Sequence, residues 1–201
     1  FDPSAQTAAP SLVVAMRVNP ATQSGADVKD TSGSTTVLKL TSTDYGRYTN
    51  SIKYKIETGT ESGKKITTQL GDTYYTADNI ARNAFSVKYS GSESSAVKTV
   101  KSTKDILTAP NGVEVASIEL NDFETIQKLV DRICTVPGFS AEVLDNNGEK
   151  DALNGLDTAS AVDVRTAKYV ATAHLQAIVD WFNGLDEGFI TAVRQPGVGS
   201  L

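Results

Sequence analysis

The spacing of apolar residues changes near residue 112, and no other feature of this chain narrows its fold as much. Before that point apolar and polar residues alternate. Thr36-Val37-Leu38-Lys39-Leu40-Thr41 and Ser51-Ile52-Lys53-Tyr54-Lys55-Ile56-Glu57 both repeat with period two, the signature of half-buried strands. Leu12–Val18 is a short apolar run with the length of a buried strand. Lys64–Leu70 and Thr73–Thr76 flank Gly71-Asp72 and predict a hairpin. Phe85–Tyr89 is a further strand, closed by the loop Gly91–Ser95, and residues 97–101 add a short one. We expect residues 1–112 to form a small antiparallel β-barrel or sandwich.

Beyond residue 112 helical spacing appears. Val113–Leu120 predicts a strand. Asn121 followed by Glu124 has the spacing of a capping box, in which each side chain satisfies an end N–H of the helix. Phe123, Ile126, Leu129, Val130 and Ile133 then make one apolar stripe. Pro137-Gly138 ends that helix. Phe139–Leu144 reads as a strand, Asp145–Gly148 as a turn, and Ala161–Val164 as a short strand. A second helix is expected over Thr166–Asn183, with Val170, Ala171, His174, Ile178, Trp181, Phe182 and Leu185 on its apolar side and Gly184 past its end. Phe189–Val193 closes the chain as a strand. The expected class is α+β: the barrel or sandwich, then a split β-α-β (βαββαβ) two-layer domain over 113–201.

Charge and residue usage remove several functions. The net charge is −5 without a long single-sign run, so the basic footprint of a nucleic-acid binder is missing. No stretch approaches the ~20 apolar residues of a membrane span. The first ten residues have no signal-peptide pattern and no initiating Met. We expect the chain to be cut from a longer one, with Pro196–Ser200 as a linker. One cysteine and one histidine exclude an internal disulfide and any site needing several such ligands. That usage suits assembly in a reducing cytoplasm.

Chemistry-bearing residues are few. His174 lies in the apolar stripe of the second helix, and no Ser, Cys or Asp nearby completes a catalytic set. We read it as a packed, hydrogen-bonded histidine. Cys134 ends the first helix and reads as a semi-buried structural residue. Asp145, Glu149, Asp151, Asp157 and Asp163 are acidic but irregularly spaced, unlike a calcium loop. Gly197-Val198-Gly199 follows a strand but precedes no helix, so it is no dinucleotide fingerprint. Tyr45, Tyr48, Tyr54, Tyr74, Tyr75 and Tyr89 crowd the β-rich half. They could line a glycan-binding platform, or fill the edges of a small barrel. Expected catalytic, cofactor-binding and metal-binding residues are none.

Three segments together resemble the contractile tail sheath family of bacteriophages and phage-like particles. Leu12-Val13-Val14-Ala15-Met16-Arg17-Val18 is similar to the apolar strand preceding the family's variable part. Thr41 through Glu57, with Gly46 and Asn50 before an alternating strand, resembles a second family segment. Leu156-Asp157 through Tyr169 to Trp181-Phe182-Asn183-Gly184, then Phe189–Val193, resembles the family's helix ending in a Trp-hydrophobic-Asn turn before a strand. The resemblance covers most of this chain but only a middle portion of a sheath subunit. It implies a non-enzymatic, structural role in the virion tail, assembled in the host cytoplasm. The implied partners are other copies of the parent sheath protein, with tail tube and baseplate reached through domains outside this sequence. It also implies outer-surface placement and a monomeric isolated fragment. The alternative expectation is a virion surface module binding a glycan or cell-wall polymer, and a third is a carboxylate hydrolase.

Overall fold

A computed structural model describes residues 21–149, 156–195 and 201. The predicted strand at 12–18, Asp151 and the linker 196–200 lie outside those residues. Thirteen strands and two α-helices are present among the described residues, and they form two hydrophobic cores.

The first core is built by the two ends of the described chain. β1 (Gly25–Lys29), β2 (Thr36–Ser42) and β13 (Ile190–Arg194) form an antiparallel sheet with β2 in the middle. β3 (Lys53–Thr58), β4 (Lys64–Leu70) and β5 (Thr73–Ile80) form a second. The helix here labelled α2 (His174–Gly184) packs against β13, β4 and β5. Val37, Leu38, Leu40, Ile66, Leu175, Ile178, Phe182 and Ala192 meet inside.

The second core is built wholly from residues between those ends. β6 (Asn83–Tyr89) lies between β10 (Phe139–Val143) and β12 (Tyr169–Thr172). β11 (Ala159–Asp163), β7 (Val97–Val100), β8 (Lys104–Thr108) and β9 (Glu114–Glu119) follow one another in a four-stranded sheet. α1 (Ile126–Cys134) packs on β10 and β6 through Ile126, Leu129, Val130 and Ile133. The molecule is therefore α+β, with one unit inserted between β5 and α2 of the other.

Several expectations need correction. Of the expected barrel or sandwich, the described residues form the open sandwich, and none of their four sheets closes into a barrel. A boundary at residue 112 does not separate the cores, because β8 and β9 pair across it and β6 pairs with β10 and β12. The strands after 112 do not join into one βαββαβ sheet either. β13 returns to β2, with Thr191 opposite Thr41. Burial drives these choices: a two-helix, one-sheet unit would leave the apolar faces of β2 and β6 without cover.

Helix starts also differ. The N-cap of α1 is Thr125, whose hydroxyl accepts from the Lys128 amide at 3.3 Å, while Leu120–Asp122 is a 3₁₀ turn. Asn121 and Glu124 make no box; Glu124 pairs instead with Lys128. α2 begins at His174, eight residues after the expected start, because Tyr169–Thr172 is drawn into the sheet beside β6. β1, β8 and β12 are strands that period-two reading did not find. In β8 an inward Asp105 occupies a place that the pattern reserves for an apolar residue.

Asn183 fastens α2 to β13. Its amide donates to the Ala192 carbonyl at 2.9 Å and its oxygen accepts from the Ala192 N–H at 2.8 Å. Asn183→Ala is expected to cost about 1–3 kcal/mol by leaving both Ala192 groups short of a partner. Urea unfolding at constant m-value measures it. Asn183→Asp should fare little better, since a carboxylate cannot donate to the carbonyl.

Candidate functional site

The two units meet where the chain crosses between them, and Arg82, Asp157, His174, Asp180 and Arg194 are hydrogen-bonded there. The crossings at Arg82 and Ala173 run beside each other: the Ala173 N–H donates to the Arg82 carbonyl at 2.9 Å, and the Arg82 N–H donates to His174 Nδ1 at 3.1 Å. The Arg82 guanidinium reaches Asp180 on α2 at 2.6 Å. Gln176 holds the other oxygen of Asp180 at 2.9 Å.

Asp157 is buried at this junction. One oxygen accepts from the His174 N–H at 2.7 Å and the Thr172 hydroxyl at 3.0 Å; the other faces the Leu175 N–H at 3.4 Å. The cap of α2 thus comes from a loop of the inserted unit. Ala173, at the N-cap position, has no side chain to do it. A carboxylate beside free helix N–H groups is also favoured by the helix dipole. From the opposite direction, buried Arg194 of β13 donates to the Leu156 carbonyl. Each unit therefore supplies hydrogen-bonding groups that the other completes.

The residues singled out by sequence do not converge on a reacting centre. His174 opens α2 instead of lying mid-helix, and its Nδ1 is occupied as an acceptor. Cys134 is exposed, not semi-buried, and its sulfur lies 3.3 Å from the Ala141 N–H. Asp163 folds its own turn, accepting from the Arg165 and Thr166 amides at 2.7 and 3.0 Å. Those bonds hold its carboxyl below the usual aspartate range, the Thr166 hydroxyl contributing most. Asp145 and Asn146 take positive φ in the turn before Gly148. Among the described residues no three His, Cys, Asp or Glu side chains stand close enough to hold a metal ion.

The tyrosines do not share a platform. Tyr74 and Tyr75 point to opposite faces of β5, and Tyr75 packs on Phe189 with ring centroids 5.2 Å apart. Tyr48 donates to Asp44 at 2.6 Å, and Tyr89 is buried against Phe139. An open groove of about 240 Å³ lies between β1, β2 and the 3₁₀ turn Arg47–Ser51, with Ser24, Asn50 and Tyr54 on its walls. The Ser24 hydroxyl is already bonded to Asn50 at 2.6 Å. Gly46, which opens that turn, sits at φ 116° and ψ 168°, a conformation essentially reserved for glycine.

One loop carries a pH expectation. Asp78 accepts from the Thr60 amide at 3.1 Å and from its hydroxyl at 3.0 Å. The Thr60 backbone bond is the main cause of its lowered pKa. A depressed carboxylate stabilises above its unfolded value and loses that contribution as pH falls through the folded one. The protection factor of the Thr60 amide should therefore fall at acid pH, and in Asp78→Asn that acid dependence should vanish. Amide exchange followed by NMR reads both.

No protein-family model matches the chain, and no curated protein matches it.

Proposed function

We propose that this chain is an outer portion of a contractile tail sheath subunit, with a mechanical role and no catalytic one. The observation that carries the reading is the meeting of two sheath-like segments. Thr41–Glu57 supplies the end of β2, the Gly46 turn and β3; the later segment supplies α2 and β13; and both belong to the first core. Asn183, in the Trp-hydrophobic-Asn turn, clamps helix to strand. In this reading the first unit is continuous with the rest of the subunit through β1 and β13. The inserted unit, 83–173, projects outward as decoration. Partners are other copies of the parent protein, with the tail tube and baseplate engaged elsewhere in that protein, and the place of action is the virion tail. A junction tied from both sides suits a body that must move as one piece while subunit contacts rearrange.

Negative-stain electron microscopy of the intact parent protein, expressed alone, tests the reading. Hollow or contracted striated tubes are expected. Small uniform particles that fail to polymerise at high concentration would reject it. The isolated 201-residue chain is expected to be monomeric by light scattering, and a stable ring would count against outer placement.

A further inference from the structure

Lys98 and Asp105 are both wholly buried, on adjacent strands of the inserted unit, with their side chains in direct contact. Lys98 stands opposite Leu107 and Asp105 opposite Val100, so the pair lies on a diagonal of one sheet face. That face looks into the core, where the Lys98 nitrogen sits 4.9 Å from the centre of the Phe85 ring. Among the described residues Asp105 is the hydrogen-bond partner found for the Lys98 amine, and the second Asp105 oxygen has none. A buried ion pair is stable only when its remaining donors and acceptors are satisfied. Here they are not.

We propose that Lys98 and Asp105 condense to an intramolecular amide that links β7 to β8. The chemistry needs no outside reagent. Within the pair one proton passes from the ammonium to the carboxylate, leaving a neutral amine and a carboxylic acid. Burial pushes the Lys98 amine down from its ordinary value, against the opposing charge of Asp105. The nitrogen lone pair attacks Cγ of Asp105, forming the C–N bond. The C–OH bond breaks, and the hydroxyl leaves with a proton from nitrogen as water. Exclusion of solvent protects the amide and keeps the amine unprotonated. The product removes both charges from the core.

Intact-mass spectrometry of the folded chain tests it. The expected mass is one water below that of the sequence. Trypsin should then release a branched peptide joining the Lys98 and Asp105 segments, because both Lys101 and Lys104 remain cleavable between them. Lys98→Met should restore the full sequence mass. Asp105→Asn supplies a second route that leaves no charge on that side chain: attack on the carboxamide expels ammonia and yields the same branched peptide. Full sequence mass in a folded chain, with separate linear peptides after prolonged incubation at neutral pH, would overturn the proposal. So would water loss that persists in Lys98→Met.

Discussion

Lys98→Met alone should destabilise the protein by about 3–5 kcal/mol, because it abolishes the proposed amide and leaves the Asp105 carboxyl buried without its partner. The Asp105 carboxyl would then sit with no partner in a core made by Phe85, Leu107 and their neighbours. Lys98→Met combined with Asp105→Leu should recover much of that loss, because apolar side chains of similar volume remove the demand for hydrogen bonds, and the remaining shortfall from the parent measures the contribution of the proposed amide link. Urea unfolding of the parent, both single variants and the double variant completes the cycle. Additive losses would show that the two side chains stabilise the core independently and would refute their coupling. Since both residues belong to the inserted unit, the first transition to move should be reported by probes there, such as Tyr169 or Tyr89. Tyr169 is partly buried and its hydroxyl pKa is raised, first by burial and then by the charges of Asp105 and Asp157.

Asp157→Ala should be the second most damaging single change, at about 2–4 kcal/mol. Two N–H groups at the start of α2 lose their acceptor, each worth ~1–3 kcal/mol when buried, and His174 is only partly so. Asp157→Asn retains one oxygen and should lose about half as much. The site also joins the two units, so the signature differs from that of an ordinary cap. Amide exchange should rise both in α2 and at Thr172, which lies on the far side of the junction. Protection lost only within α2 would mean that Asp157 serves the helix alone.

Local signals were legible where the forces are local. The alternation in 36–41 and 51–57, the Gly71-Asp72 hairpin and the stripe Ile126–Leu129–Val130–Ile133 all correspond to elements. The class, α+β, follows from the same patterns. Pairing was not legible, since β2 finds β13 and β6 finds β10 and β12 across long stretches of chain. Nothing in a period-two pattern says which edge a strand will join. α2 was started too early because Val170 and Ala171 suit a helical stripe and a strand equally well. Its true start depends on Asp157, a residue sixteen positions before the N-cap. The junction was invisible for a related reason: Arg82, Asp157, Asp180 and Arg194 show no common spacing, and only the tertiary fold assembles them. His174 makes the hydrogen bond expected of it, whereas Asp157, expected in a solvated acidic stretch, is buried at the junction.

The adjacency of the two crossings has a consequence for descent. Arg82 and Ala173 are hydrogen-bonded neighbours, so excising 83–172 would leave two chain ends that a very short link could rejoin. The first core would keep its sheets and its helix, losing chiefly the Asp157 cap and the Leu156 contact. Such a seam lets related genes gain, trade or discard the inserted module in one recombination event, leaving the first unit intact. Sequence divergence should therefore run in blocks, abrupt at Arg82 and Ala173 and gradual on either side.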